Sequence, residues 1–507
     1  MGTDAPQTLS GARVTIMGLG RFGGGIGVTQ FLAAQGADIL LTDLDPPEKL
    51  AASIAQIQPL IDRGSVSLRL GEHNVSDFTN TDLIVANPAV PKPWDNRFLR
   101  AAAAAGVPIT TEIRLLFERL PNREHIIGIT GSAGKSTTTS MIAHALRALI
   151  QRASGVSEGT SSVHLGGNIG GSLLSDLPNI HANDWVVLEL SSAMLYWLSN
   201  EAIGATRSNS NSLVPPTGLP VGAAFSPHLA VVTNVSPNHL DWHAEFSHYE
   251  RSKQHILRHQ PAGAAAILHE SLRPWADDAG LRLADKRLEW VADADAELAG
   301  TIALPGRHNR LNAVTAARAL VMLGFDESAA LSAIRSYAGL AHRLQFVGEF
   351  ALPPGRASSE GAGGIGNRRP SFRAYNDSKS TTPESAALAI AALDEEPTLG
   401  AARVHLIAGG YDKKIDLGLM CDAASRCAHV YTIGVTGPTI AAQVNRAGGR
   451  AHDCKTLERA IETAADFLKA GDAILLSPGC ASWDQFTHFE ERGESFISAL
   501  ERRFGRI

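Results

Sequence analysis

The run HIIGITGSAGKSTTTS at His125–Ser140 gathers the residue types that hold a nucleotide triphosphate. A short β-branched stretch leads into the turn Gly131, Ser132, Ala133, Gly134, whose glycines let backbone N–H groups face phosphate oxygens. Lys135 follows to reach the β and γ phosphates, and the hydroxyl of Ser136, with Thr137 beside it, is available to Mg²⁺. The strict pattern G-x-x-x-x-G-K-[ST] is missed by one place, because Ile129 stands where its first glycine belongs and Gly128 precedes it. Met141, Ile142, Ala145, Leu146, Leu149 and Ile150 recur on one face, which predicts a helix behind the loop.

Other reactive residues are spread along the chain. Glu189 closes the apolar run VVLELSS, and a carboxylate at the carboxyl end of a parallel strand faces the ligand crevice. It can hold Mg²⁺, or it can cap the next helix beside Ser191 and Ser192. His239 and Asp241 follow another apolar run, Leu229–Val235. Lys253 lies in a helical stretch one turn after Tyr249; taken alone it reads as a surface lysine. His243, His248 and His255 read as solvent or packing residues. GRHNRLNAV supplies His308, Asn309 and Asn312, amides and a ring suited to adenine edges, and Arg343 could reach nucleotide phosphates. YNDSKSTTPES contributes Asp377, Lys379 and Thr381; Gly409–Gly410 leads to Lys413; and SPGCASWDQFTHFEERGESF carries Ser482, Trp483 and Phe489. Near the start, GLGRFGGGIG (Gly18–Gly27) with Asp43 downstream superficially fits a dinucleotide fingerprint. The same turn suits another pyrophosphate ligand, and Asp43 could accept from a ribose or uracil or simply end its strand.

These residues need α/β scaffolding. Strands are expected at Arg13–Met17, Asp38–Leu41, Trp185–Leu190, Leu229–Val235, Val404–Ala408, Val430–Gly434 and Ala473–Ser477, alternating with helices such as Thr29–Gln35. Three blocks separate, 1–122, 123–338 and 339–507, in line with a chain of 507 residues. The segments 205–225 and 353–371 are rich in turn-formers and read as mobile surface insertions. A hydrophobic content of 44% with 19% charged residues is ordinary for globular cores. A net charge of −6 argues against nucleic acid or a membrane surface as partner. Cys421, Cys427, Cys454 and Cys480 lack C-x-x-C spacing, so reduced thiols in a cytoplasmic protein are expected, with no targeting or spanning segment and a monomeric state.

GITGSAGKST, LELSS, the NHLD histidine, HNRLN, HR and NDSKST together resemble the Mur ligases, ATP-dependent amide-forming enzymes of peptidoglycan precursor synthesis. NDSKST, GGYDKKID and SPGCASWDQF resemble the branch of that family that adds D-glutamate to UDP-N-acetylmuramoyl-L-alanine. The resemblance implies a Rossmann-like UDP-binding domain, a central ATPase domain and a C-terminal Rossmann-like domain that closes over the nucleotide. It implies UDP-substrate contacts at Gly18, Leu19, Gly20, Arg21, Asp43 and Asn168. ATP would be met by the phosphate loop, His308, Asn309, Asn312, Arg343, Asp377 and Lys379. Lys135, Glu189, His239 and Lys253 would be catalytic, and two Mg²⁺ sites would draw on Ser136, Glu189, His239 and a carbamylated Lys253. D-Glutamate would meet Thr381, Lys413, Ser482, Trp483 and Phe489. ELSSAM replaces the family's usual ELSSFQ, and the N-terminal turn has extra glycines. A sibling ligase using another amino acid or a folate is the nearer alternative, and an NAD-dependent dehydrogenase the remoter one.

Overall fold

The computed structural model describes residues 9–20, 25–154, 161–203, 224–352, 370–396 and 398–507. Arg21 and most of the two expected insertions lie outside the described residues. The chain divides into two compact units, Met1–Ala292 with Thr315–Ala330, and Asp293–Val314 with Leu331–Ile507.

The first unit carries two all-parallel sheets, the arrangement that strand–helix alternation imposes because each crossover must return over a sheet face. One takes β1 (Arg13–Met17), β2 (Asp38–Asp43), β3 (Val66–Leu70), β4 (Leu83–Ala86) and β5 (Ile109–Thr110) in the order β3-β2-β1-β4-β5. The other takes β6 (Ile126–Thr130), β7 (Val163–Gly167), β8 (Trp185–Glu189), β9 (Leu229–Val232), β10 (Ala265–His269) and β11 (Arg287–Val291) in the order β11-β10-β9-β6-β8-β7. Chain order reverses on either side of β6, so the phosphate loop leaves the sheet at its switch point, where ligands bind in such folds.

The second unit holds β12 (Gln345–Ala351), β13 (Ser371–Asn376), β14 (Val404–Gly409), β15 (His429–Ile433), β16 (Ala451–Lys455) and β17 (Ala473–Leu476), ordered β12-β13-β17-β14-β15-β16. Only β12, at the edge, is antiparallel to its neighbour.

Ile127, Ile129, Val187, Leu188, Val231 and Ile267 are buried, each contributing about 1.5–3 kcal/mol over exposure. Three sequence expectations shift. The first helix begins at Ile26 and so includes Gly27, where a Cβ would collide with Ser172. β9 stops at Val232 because Thr233 and Asn234 turn toward the phosphate loop. Phe225, expected in a surface insertion, is buried and donates its N–H to Leu198 O.

Candidate active site

β6 delivers a turn whose shape is fixed by its neighbours. Gly131 has φ +151°, and a Cβ there would collide with Thr233 Oγ1; Gly134 is left-handed at φ +80°. Asn234 pins the loop from β9, its Oδ1 accepting the Ala133 N–H at 2.9 Å and its carbonyl the Ser132 N–H at 2.9 Å. Ser132 Oγ lies 2.8 Å from the Tyr249 hydroxyl. Lys135 opens the helix Lys135–Ser154 and donates from Nζ to Ser132 O at 3.2 Å, curling back over the turn. Ser136 and Thr137 are buried in the first helical turn, where the helix N-terminus favours anions.

Glu189 is buried at the end of β8. Its Oε1 accepts from Asn168 Nδ2 at 2.8 Å, whereas its Oε2 is buried with no hydrogen-bond partner among the described residues. A buried bare carboxylate oxygen is costly unless a ligand completes it. The helix-capping alternative fails, since Ser191 caps the helix Ser192–Leu198 by accepting from Met194 N. Asn168, expected at the UDP substrate, spends its amide on Glu189, and its N–H donates to the Glu189 carbonyl.

Lys253 is not a surface lysine: it is 1% exposed. Its Nζ donates to Gly131 O at 2.8 Å and Thr130 Oγ1 at 3.2 Å, and sits 4.7 Å from the Tyr249 ring centroid. Burial, reinforced by Lys135, holds its pKa well below the usual lysine value, against the pull of Glu189. His239 takes a left-handed conformation (φ 51°), its ring centroid lies 6.4 Å from that of Tyr249, and its pKa is lowered by partial desolvation and then by the charges of Lys135 and Lys253. Lys135, Glu189, His239 and Lys253 therefore interact at one end of one sheet. His243 and His248 are packing residues, joined Nδ1 to Nδ1 at 2.8 Å within a box of Trp94, Tyr196 and Trp242. His255 is buried as well.

At the N-terminal sheet, Asp43 Oδ2 accepts the Gly20 N–H at 3.1 Å, so it braces the turn after β1. Leu19, expected at the UDP substrate, is fully buried, and its carbonyl accepts the Gly25 N–H at 2.8 Å. Gly18 and Gly20 both have positive φ.

In the second unit, Asp377 is buried after β13, accepting from Ser477 Oγ at 2.7 Å and Leu344 N at 2.9 Å. Burial pushes its carboxyl up to about 7, moderated by these donors and by Arg343 and Arg492. Arg343 Nε is buried with no hydrogen-bond partner among the described residues. Asn309 donates to Pro305 O and accepts from Asn312, so both amides serve their own helix start; His308 is lowered by burial. Lys379 Nζ lies 5.4 Å from the Phe489 ring. Lys413 Nζ donates to Thr381 O at 3.2 Å and lies 5.5 Å from the Trp483 ring; Ser482 beside it is buried.

The sequence reading passed over Arg492, Thr130 and Asn234. Arg492 is fully buried, ties Ser378 and Cys480 together through three hydrogen bonds, and is lowered by burial to about 10. An arginine among the acidic residues of HFEERGESF gives no signal of this kind in one sequence.

Mg²⁺ fits the phosphate-loop residues. It keeps waters and phosphate oxygens and asks for one or two carboxylates, and the partnerless Glu189 oxygen is one. Among the described residues no three His, Cys, Asp or Glu side chains cluster as a metal site. Phosphate and hydroxyl oxygens would have to complete the shell.

Three family models match in chain order: Mur ligase MurD-like, N-terminal domain over 12–111; Mur ligase middle domain over 216–289; and Mur ligase, glutamate ligase domain over 365–480. A UDP-N-acetylmuramoylalanine--D-glutamate ligase of Roseiflexus sp. (strain RS-1) is 31% identical over 97% of this chain and 99% of its own. Among solved structures, the UDP-N-acetylmuramate-alanine ligase MurC of Thermotoga maritima superposes with a TM-score of 0.51 at 17% identity, covering 97% of this chain and 100% of that one. The MurF ligase of Thermotoga maritima in complex with ADP gives 0.50 at 15%, covering 98% and 100%. Those two likenesses concern the fold, whereas the full-length relative and the three models settle kinship: the chain belongs to the Mur ligase family.

Proposed function

We propose that this protein is an ATP-dependent ligase that adds D-glutamate to UDP-N-acetylmuramoyl-L-alanine. The observation that carries the chemistry is the meeting of the Lys135 loop, a buried carboxylate oxygen of Glu189 without a partner and a buried Lys253. The choice of substrates follows the full-length relatives of that name, and a MurF ligase held with ADP supports ATP as the nucleotide. We assign the UDP substrate to 1–122, ATP to 123–338 and the amino acid to 339–507. Dependence on ATP and a nucleotide-activated sugar implies a cytoplasmic site of action.

An oxygen of the L-alanyl carboxylate attacks the γ-phosphorus of ATP, the bond to the β-bridging oxygen breaks, and an acyl phosphate and ADP result. Lys135 and the loop N–H groups neutralise charge on the transferring phosphoryl group, the main demand of such loose transition states. Ser136 and Glu189 would hold Mg²⁺, which would supply further neutralisation of the phosphate charge. The low pKa of Lys253 leaves its amine free to take up CO₂, forming an N–C bond and losing a proton. The resulting carbamate would supply, with His239, the oxygen and nitrogen donors of a second Mg²⁺ site. D-Glutamate is held with a carboxylate on Lys413 and with Thr381 and Ser482 beside it, and its amine attacks the acyl carbon. The tetrahedral intermediate expels phosphate and the amine sheds a proton, leaving the amide. Water must be kept from the acyl phosphate meanwhile, so positioning is most of the work.

The test is phosphate release from ATP with UDP-N-acetylmuramoyl-L-alanine, comparing D-glutamate with L-glutamate, L-lysine and meso-diaminopimelate. Release requiring D-glutamate, with a product heavier by one glutamyl residue, is expected. Release with another amino acid keeps the ligase mechanism and overturns the assignment of Thr381, Lys413 and Ser482.

A further inference from the structure

Among the described residues, three lysines sit over aromatic rings: Lys253 over Tyr249, Lys379 over Phe489 and Lys413 over Trp483. Lys253 was assigned above to catalysis, Lys379 to ATP and Lys413 to D-glutamate. An aromatic face attracts an ammonium through the ring quadrupole without cancelling its charge, whereas a carboxylate partner would neutralise it. Such a ring can orient a long, rotamer-rich side chain and leave its N–H donors for a substrate anion.

Lys413 shows the device most openly. The neighbouring Asp412 turns away and pairs with Lys414 at 2.6 Å. What holds the Lys413 ammonium is the Thr381 carbonyl on one side and the indole on the other. Trp483 is itself placed rather than loose. Its ring packs 5.6 Å from that of Tyr411, and Tyr411 is tied to the chain two residues before Trp483 by its N–H on Ala481 O at 2.8 Å. Trp483 is nonetheless 53% exposed and Tyr411 42% exposed, so core packing does not account for two large aromatics here.

We propose that Trp483, buttressed by Tyr411, is a positioning residue that holds the Lys413 ammonium for a carboxylate of the incoming amino acid. This rests on the reading of the chain as a D-glutamate ligase, and it names what keeps that specificity-determining lysine in place. Trp483 acts through Lys413, so it serves one substrate of three.

The experiment is steady-state kinetics on the full-length enzyme with each substrate varied in turn. In Trp483→Leu, which keeps apolar bulk and removes the ring, KM for D-glutamate rises about twofold to fivefold, the worth of one exposed cation–ring contact. The KM values for ATP and UDP-N-acetylmuramoyl-L-alanine stay at wild type, as does kcat within about twofold. Trp483→Phe, which retains a π face, recovers most of the loss. In a Lys413→Ala background, Trp483→Leu has little further effect on kcat/KM for D-glutamate, because the group it positions is gone. An unchanged KM in Trp483→Leu, equal losses in the Leu and Phe variants, or additive losses with Lys413→Ala would each overturn the proposal. Wild-type enzyme indifferent to D-glutamate would instead sink the proposed function, so the two failures are distinguishable.

Discussion

Lys253 in the first unit and Lys413 in the second are held by the same device, an aromatic face on one side and a backbone carbonyl on the other. Their solvation is opposite. Lys253 is sealed under the phosphate loop and its pKa is driven down, while Lys413 stands exposed at the end of β14. Burial drives Lys253 toward its neutral amine form, whereas Lys413 stands in solvent where a carboxylate can reach it. Residue type and contact type together do not fix the chemistry; desolvation chooses between the two outcomes.

The contrast also separates what each region costs to disturb. Lys135, whose charge helps lower Lys253, is proposed to act as a charge on the transferring phosphoryl group, so Lys135→Ala should lower kcat by about 10³-fold or more in the phosphate-release assay. Full turnover in that variant would remove the phosphate loop from the mechanism.

The lysine pair can be tested against itself with arginine, which keeps a positive charge and cannot become a neutral amine. Lys413→Arg should retain activity with kcat/KM for D-glutamate down about tenfold. Lys253→Arg should be as inactive as Lys253→Ala, both down about 10²-fold or more. Short carboxylates added to Lys253→Ala should restore part of the rate by standing in for the carbamate oxygens. If Lys253→Arg proves as active as Lys413→Arg, both lysines act as charges and the contrast collapses.

A smaller effect is expected one residue out from the metal carboxylate. Asn168 fixes Glu189 through Oε1 and leaves Oε2 bare, so Asn168→Ala should raise the Mg²⁺ concentration for half-maximal rate by about tenfold. If it raised KM for the UDP substrate alone, Asn168 would belong to the substrate as the sequence resemblance implies.

Strand positions and the parallel sheets were largely legible, because β-branched runs such as IIGIT and VVLE carry a strong local signal and alternation with helices favours parallel pairing. Gly131 and Gly134 were legible too, since few other residues tolerate their backbone. The environment of a long polar side chain was not. Lys253 looks like any helical lysine in SHYERSKQHI; its burial depends on a loop more than a hundred residues earlier. Asn234, Asn168 and Arg492 are similarly mute, being defined by partners distant in sequence.

The least dramatic test concerns the acid stability of the two units. In the first unit burial pushes His243 and His255 down to about 3, with neighbouring histidines adding to the effect. Their unfolded values lie near 6.5, so the unfolded chain binds protons first. The stability they contribute is whole above pH ~6.5 and is lost as pH falls toward their folded values. In the second unit His429, pushed down to about 4, behaves the same way. Asp377 opposes it there: its folded value is raised to about 7, so its contribution is whole below its unfolded value near 4 and is lost as pH rises through 7. His308, His342 and His452 in the second unit are lowered by burial as well, so between pH 7 and 5 acid weakens both units, and Asp377 offsets part of the loss in the second. Six of the seven tryptophans (Trp94, Trp185, Trp197, Trp242, Trp275 and Trp290) belong to the first unit and Trp483 to the second. Melting followed by tryptophan fluorescence should therefore move down on acidification, by roughly 2–4 °C for each kcal/mol lost. His243→Gln should shrink the fluorescence shift, since a neutral amide can take the Ser192 hydrogen bond at either pH. A fluorescence midpoint that holds steady from pH 7 to 5 would mean that burial does not set the protonation of these histidines, and the solvation contrast drawn for the lysines would lose its closest parallel.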